Sequence, residues 1–526
     1  MTAIALGILM RFGQLAIEAS LTLLVGVVVA GILRRMAGPA GTRHLFGRGW
    51  RGLLRGWLAG VLLPVCSLGV IPVARELRRV GVPGGTILSF VLSAPLLNPI
   101  SFLYGLTLAD PTTILTFSAF SLVLSTVAGF LWDRFSSSPD DVAIDADRGA
   151  VADREPLPGY GIKRIASVFV TAVRELTGRD LAFYAIGLLG SAVLSGFIPN
   201  GSLQRTMQHT DRSSPVLMAA IAVPVFSSPL PGMMKIGLMF DHGNSVAAAF
   251  VLFSLGVGLC LGTIAWLLCD FPPGRIVGWF SIYLAMVLGL GYATQPLLDD
   301  PRRERIDHTH AFDDYASPFH PGPVGFDMVL AKWKEKFTPL ERPTVYGLAA
   351  ALLTGFAVRR IDRDGRIERW LTAIPAPGTT KFDVNVPTPI LAGTALAGLV
   401  AMSVIGAYLY YPDRKQCLDE MFAVYADARV AVGSNRPTEG ADRTQEAIRH
   451  LERWDWVVRK LEVGHYLRTF RLTDEQKRTA YDLREAIEEL RDHLRDGEIE
   501  QAKAELKPLD LVYKACKDAY AIPPAP

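Results

Sequence analysis

The sequence predicts an all-α fold: a polytopic helical membrane protein with two internal repeats containing broken helices, plus a C-terminal soluble four-helix bundle. Three observations carry that expectation. The 526 residues are 50% hydrophobic with a mean hydropathy of +0.27, and several apolar runs exceed the roughly 18 residues that cross a bilayer. An apolar stretch at residues 60–101, broken by Pro64, Gly69, Pro72, Gly81, Pro83, Pro95 and Pro99, has a counterpart 160 positions later. From residue 412 the composition turns charged, with apolar positions at helical spacing.

The totals exclude several functions. A net charge of +3 and no basic cluster interleaved with aromatics give no footprint for nucleic acid. Five cysteines without a CxxC pair indicate neither a zinc ribbon nor a thioredoxin-type centre. No GxxxxGK loop supports ATP-driven transport, and no cofactor is indicated.

The first apolar run, residues 15–33, continues for a full span and has no small-residue cleavage site of the signal-peptide kind. Glu18 lies near its start, at the expected interface. Arg34, Arg35, Arg43, Arg48, Arg51 and Arg55 then form a dense basic loop, which the positive-inside rule places in the cytoplasm. Two membrane elements follow at residues 57–74 and 84–108, then a span at 112–132. Residues 162–176 are amphipathic and read as surface-lying. Further spans are expected at 181–198, 215–240, 245–268 and 276–292, a short one at 345–358, and a last one at 389–410. On this count the tail lies outside. One observation resists: Arg75, Arg78 and Arg79 would face outward unless the broken segment re-enters instead of crossing.

The expected organisation is a first membrane repeat at 1–133, a polar linker at 134–160, and a second repeat at 161–294. A polar insert at 295–342, two further spans within 343–411 and the bundle at 412–526 complete it. The repeat rests on a gapless shift that lays Pro64-Val65-Cys66-Ser67 on Pro224-Val225-Phe226-Ser227, and Arg75 on Lys235. A proline removes an amide donor and clashes with the preceding turn. Broken backbone at membrane depth is tolerated where it is buried in protein or lines a cavity. Paired breaks in two halves therefore point to a substrate path at the repeat interface. Its candidate residues are Pro64, Cys66, Ser67, Gly69, Pro72, Asn98, Pro99 and Ser101 in the first half. Pro224, Ser227, Pro229 and Pro231 stand in the second.

These residues resemble the predicted permeases related to the bacterial organoarsenical permease. That family carries Pro-x-Cys-Ser-Cys-Gly-x-x-Pro, matched by Pro64-Val65-Cys66-Ser67-Leu68-Gly69-Val70-Ile71-Pro72. A later Ser/Ala-Pro-x-x-Asn-Pro-x-Ser is matched by Ala94-Pro95-Leu96-Leu97-Asn98-Pro99-Ile100-Ser101. The resemblance covers residues 15–292 and implies an integral-membrane permease for a small solute, with the cysteine motif near the path. The chain departs from the pattern at Leu68, where the family has its second cysteine. A soft metal ion or trivalent arsenical is held best by several thiolates. Cys66 thus has two readings, ligand or small buried apolar residue, and Cys260 approaches it if the repeats face each other.

Asn98 either presents its amide to solute or caps a broken helix end. Arg75 and Lys235 either attract an anion or snorkel to the interface, and snorkelling is expected. Glu18, Asp110 and Asp241 lie near span ends, so no intramembrane proton carrier stands out. His308, His310, Asp313 and His320 in the polar insert are a candidate divalent-metal cluster, with a solvated loop as the plain alternative.

In the tail, Thr473 and Gln476 form a capping box, Asp496-Gly497 turns the chain, and Pro508 should interrupt the last helix. Cys417 and Cys516 fall at one end of such a bundle, where either a disulfide or two buried thiols fits. The leading function is a secondary permease in the inner (plasma) membrane, with lipid and a small solute as partners and an extracytoplasmic bundle. The alternative is a membrane-anchored sensor or scaffold whose bundle is the working part.

Overall fold

The computed structural model describes residues 2–99, 101–102, 105, 111–136, 147–152, 162–199, 201–203, 206–209, 211–241, 244–298, 311–319, 325–337, 341–372, 390, 393–394, 396–398, 400–401, 411, 414–434 and 440–521. Among them every regular element is a helix. The chain divides into two compact units, residues 1–403 and 404–526.

The first unit opens with α1 (Thr2–Ile32), which runs through a π-helical stretch, Leu33–Ala37, into α2 (Gly38–Phe46). Then come α3 (Gly49–Leu62), α4 (Val70–Arg79), α5 (Gly84–Ser93), α6 (Pro111–Leu131), α7 (Ile162–Leu176) and α8 (Asp180–Phe197). After α9 (Ser214–Ala222) and α10 (Pro229–Asp241), α11 (Val246–Val251) passes through a π-helical stretch, Leu252–Val257, towards α12 (Leu261–Asp270). The unit continues with α13 (Pro273–Leu298), α14 (Phe326–Lys336), α15 (Glu341–Ile361) and α16 (Arg366–Thr372).

Five stretches among the described residues are long and apolar enough to cross a bilayer: Ile4–Phe46, Thr112–Phe135, Asp180–Phe197, Pro273–Leu298 and Glu341–Ile361. A sixth is the pair Val246–Val257 and Leu261–Asp270, bent by 55°. The short apolar run at 345–358 is the centre of α15, whose 21 residues include Arg359 and Arg360 in the last turn. Cationic side chains there complement the helix dipole and reach water on long stems. The span expected at 389–410 lies largely outside the described residues.

α1 and α8 pack side by side in opposite directions. At one end Arg34 Nη1 meets Glu175 Oε1, just before α8, at 3.0 Å. At the other, Asp314 ties the two helices: its carboxylate is 3.2 Å from Arg11 Nη1, and its carbonyl accepts from Ser195 Oγ at 3.2 Å. The first end also carries Arg35, Arg164 and Arg174, so it is the basic end of the unit. There Arg35 pairs with Glu368, Arg164 Nη2 donates to the Met36 carbonyl at 3.0 Å, and Arg174 Nη2 is 2.5 Å from Asp362 Oδ2.

The broken segments form two hairpins instead of spans. α3 starts next to Gly47, whose amide closes α2 on the Arg43 carbonyl at 2.9 Å, and α4 ends at Val80, whose carbonyl accepts from Arg43 Nη1 at 3.1 Å. The hairpin α3–α4 therefore leaves and regains the basic end, turning at residues 63–69. This places Arg75, Arg78 and Arg79 beside the basic loop. The hairpin α9–α10 does the same from the opposite end. Met207 precedes it and Ser245 follows it, and the Ser245 amide donates to the Met207 carbonyl at 3.0 Å.

The second unit holds α17 (Arg414–Ser434), α18 (Gly440–Thr469), α19 (Asp474–Arg495), α20 (Ile499–Ala504) and α21 (Leu506–Ala521). They share one apolar core that includes Met421, Leu451, Trp454, Leu461, Leu483, Ile487 and Tyr520. The Thr473–Gln476 capping box is formed, with both bonds at 3.0–3.2 Å. Gly497 takes φ +79°, a left-handed turn that costs glycine nothing. Pro508 sits in the first turn of α21, where no helical amide is required of it, and the chain breaks at Glu505.

Cys417 and Cys516 are both buried here but are not joined, so the disulfide considered from the sequence is not formed. Burial, with Glu462 nearby, pushes the Cys516 thiol up to about 12 and keeps it protonated.

Candidate functional site

The site is built by the turns of the two hairpins. In the first, Pro64 belongs to the non-helical turn and Pro72 is the third residue of α4. In the second, Pro224 belongs to the turn at residues 223–228, while Pro229 and Pro231 are the first and third residues of α10. The prolines thus start the returning arms, where a missing amide is harmless, instead of kinking through-going helices. Each turn leaves backbone amides and carbonyls without helical partners in an apolar surrounding, and their partners define the site.

At the first turn Cys66, Ser67 and Leu68 are fully buried. The Gly69 amide donates to Cys66 Sγ at 3.3 Å, and the Val70 amide to the Cys66 carbonyl at 3.0 Å, so the thiol caps the start of α4. The Ser67 carbonyl accepts from the Thr263 hydroxyl, which in turn is 3.4 Å from Cys260 Sγ. Cys260 is therefore in the neighbourhood of Cys66, on the non-helical residues between the π stretch and α12. The Leu68 side chain packs at Gly187 of α8 and Gly262 of α12, in the space those glycines leave. Ser67 Oγ and the Tyr184 hydroxyl are buried without a hydrogen-bond partner.

At the second turn Val225, Phe226 and Ser227 are fully buried and Ser228 nearly so. The Ser228 amide donates to Glu18 Oε1 at 2.8 Å. Lys235, two turns along α10, is 6% exposed. Its Nζ lies 3.3 Å from Asp314 Oδ2 and 4.8 Å from the centre of the Tyr315 ring. It does not end free in water: the buried ammonium is paired with the half-exposed carboxylate of Asp314, which Arg11 also binds. Nor does Glu18 mark an interface, for it lies midway along the 31-residue α1 and reaches a hairpin turn. Arg75 is likewise engaged, with the buried Asp180.

Both turns meet α1. Gly69 packs so closely on Thr22 and Gly26 that a Cβ at Gly26 would overlap the Gly69 carbonyl. Glu18 and Thr22 are one turn, about 6 Å, apart on the same face. Hairpins entering from opposite ends therefore bring residues 66–69 and 227–228 to neighbouring turns of one helix. Asn98 and Ser101 sit in another break, after α5. Ser101 N–H donates to Asn98 Oδ1 at 2.7 Å, and Asn98 N–H donates to Ser101 Oγ at 3.1 Å. Asn98 is thus a reciprocal cap with Pro99 at the first helical position. Leu96 of the same break packs at Gly258 of the α11–α12 break.

His308, His310 and His320 lie outside the described residues, as does the Asp313 side chain. Among the described residues no group of three or more His, Cys, Asp or Glu is arranged to hold a metal ion. Sequence reasoning placed Glu18 and Lys235 at interfaces and missed their partners, the Ser228 amide and Asp314. A carboxylate and an ammonium inside apolar runs were the available signal, since such groups are costly in a membrane and mark function.

The matching family is described as predicted permease, and the match covers residues 5–270. The chain belongs to that family. This permease is also 37% identical over 90 residues to the UPF0718 protein YcgR of Bacillus subtilis (strain 168), an alignment covering 17% of this chain and 31% of that protein. The permease thus spans less than a third of that relative's length. No solved structure matches it.

Proposed function

We propose that this permease moves a small solute between the turns of its two hairpins, past Cys66, Ser67, Ser227 and Ser228 and along the α1 face of Glu18 and Thr22. The observation that carries the reading is the convergence of two opposed, proline-started turns on one helix. It buries unpaired polar atoms where a lipid anchor would have none. Under the 160-position shift the boundaries of α3, α4, α5 and α6 recur in α9, α10, α11 and α13 to within two residues, except that α9 starts five residues late and α13 ends seven residues late, which supports an inverted two-repeat core. A sensor held by inert spans has no use for such symmetry.

The orientation follows the charge. With the basic end in the cytoplasm, both hairpins re-enter, the N-terminus lies outside, and the remaining crossings leave the C-terminal unit outside a plasma membrane. The lining of hydroxyls and two thiols suits neutral and soft electrophilic solutes. Only two thiols, Cys66 and Cys260, share the neighbourhood of the first turn, and Leu68 fills the place of the family's second motif cysteine. Counterflow in proteoliposomes, with a panel that includes a trivalent organoarsenical, tests the reading. Ser67→Ala and Ser227→Ala, which remove the hydroxyls without adding volume to the buried turns, should each reduce flux at least tenfold while leaving the folded yield unchanged. Undiminished flux in both variants would remove the path from these turns.

A further inference from the structure

We propose that two ion pairs gate the path: Arg75 with Asp180 closes it towards the basic end, and Lys235 with Asp314 closes it towards the opposite end. The proposal rests on the permease reading and names the residues by which one end opens at a time. Arg75 and Lys235 stand at equivalent positions under the 160-position shift, one on each returning arm. At 1.5 Å per residue each lies about 8 Å from the start of its arm, on the way to its own end. Because the hairpins enter from opposite ends, the two cations flank the turns from opposite sides.

Their carboxylate partners belong to other elements. Asp180 opens α8, and Asp314 lies in the insert turn that ties α1 to α8. Each pair thus fastens one hairpin to the frame around it. Each hairpin cation also shares a carboxylate with a second cation. Asp270 of α12 lies 3.8 Å from Arg75 Nε and 3.9 Å from Arg179 Nη1, and Asp314 joins Lys235 to Arg11. A tyrosine completes each closure. Tyr315 lies beside Lys235 with its hydroxyl near Ser227. Tyr184 stands one turn along α8 from Asp180, towards Gly187, where Leu68 of the first turn packs. In each pair one member is sealed in protein and the other partly exposed. The Asp180 and Lys235 side chains are 0% and 8% exposed, against 29% for Arg75 and 46% for Asp314. Parting a wholly buried pair leaves an uncompensated charge, and a wholly exposed pair holds little. At the rim the exposed member exchanges its partner for water, so the pair closes its end and still lets go. Both pairs are formed together, as in a form closed at both ends.

Thiol labelling in membrane vesicles of both orientations tests this without any solute, read peptide by peptide by mass spectrometry. Cys66 reports on the first turn, and the thiol introduced by Ser227→Cys on the second. With both pairs intact, a membrane-impermeant reagent should reach each thiol slowly from either face. Arg75→Gln should speed labelling of Cys66 at least tenfold from the face of the basic end, while the second thiol stays slow from the opposite face. Lys235→Gln should speed the second thiol at least tenfold from the opposite face, while Cys66 stays slow from the face of the basic end. Arg75→Lys and Lys235→Arg, which keep the charges, should stay as slow as the parent and report that the fold survives. Unchanged labelling in either Gln variant, or faster labelling from both faces in either one, would overturn the paired gates. Since no solute enters the measurement, such a failure leaves the permease reading intact, and absent flux for every solute would leave the labelling pattern standing.

Discussion

Gly26 shows how little room the site allows. The α1 backbone there touches the Gly69 carbonyl, so backbone faces backbone and neither side can swing away as a long side chain would. Small residues at such crossings are how membrane helices approach closely. Gly26→Ala should displace the first turn and cost about 1–3 kcal/mol, the range for overpacking. It should lower the thermal unfolding temperature in detergent, whereas Gly278→Ala, which opens on empty space, should leave it unchanged. Equal melting of the two variants would mean that the close approach is not what seats the turn. At this scale the sequence was half legible. Proline and glycine positions announced the breaks, because their backbone chemistry is local. The pairing of Glu18 with Ser228, or of Lys235 with Asp314, depends on contacts across dozens to hundreds of positions, and no local pattern encodes it.

At the scale of elements, the same apolar lengths suit a span or a hairpin. Residues 57–74 have the composition of a crossing helix, yet 63–69 turn the chain back and α3 and α5 are zipped together. Ser89 Oγ donates to the Leu53 carbonyl at 2.8 Å, and Ser93 Oγ to the Trp57 carbonyl at 3.3 Å. Arginine on the wrong side of a crossing was the one readable sign of re-entry, since the positive-inside rule makes no exception for a broken segment. The hairpin predicts sidedness. Single cysteines replacing Arg48 and Arg79 should react with a membrane-impermeant thiol reagent from the same face, and one replacing the exposed Arg212, which leads into α9, from the opposite face. Labelling of the first two from opposite faces would restore a crossing helix.

At the scale of the whole molecule, the chain divides into two compact units, residues 1–403 and 404–526. The C-terminal unit was the most legible part of the chain, since its capping box, turn and amphipathic spacing are local signals, and only the separation of its two thiols needed the packed structure. Its stability carries a definite pH sign. Burial pushes the Asp455 carboxyl up, but Arg459 at 3.0 Å and Arg484 at 3.3 Å outweigh that and hold it below the usual carboxylate range. A depressed folded-state value means the stabilisation is complete above the ordinary pH of about 4 and is lost as pH falls through the folded value. Burial, aided by Arg414, lowers His465 below its ordinary value of 6.5. The unfolded chain therefore takes that proton first, and stability already declines as pH drops below about 6.5. Limited proteolysis of the full-length protein should show cleavage within 414–521 rising from pH 7.5 to pH 5.5, with a second rise below pH 4. Asp455→Asn removes the charge that bridges α18 and α19, so it should cost about 2 kcal/mol, the scale for hydrogen bonds to charged groups. It should abolish the second rise and leave the first, because His465 lies elsewhere on α18. A variant as resistant as the wild type at pH 7.5 would show that Arg459 and Arg484 are held by other partners and that Asp455 does not tie the two helices.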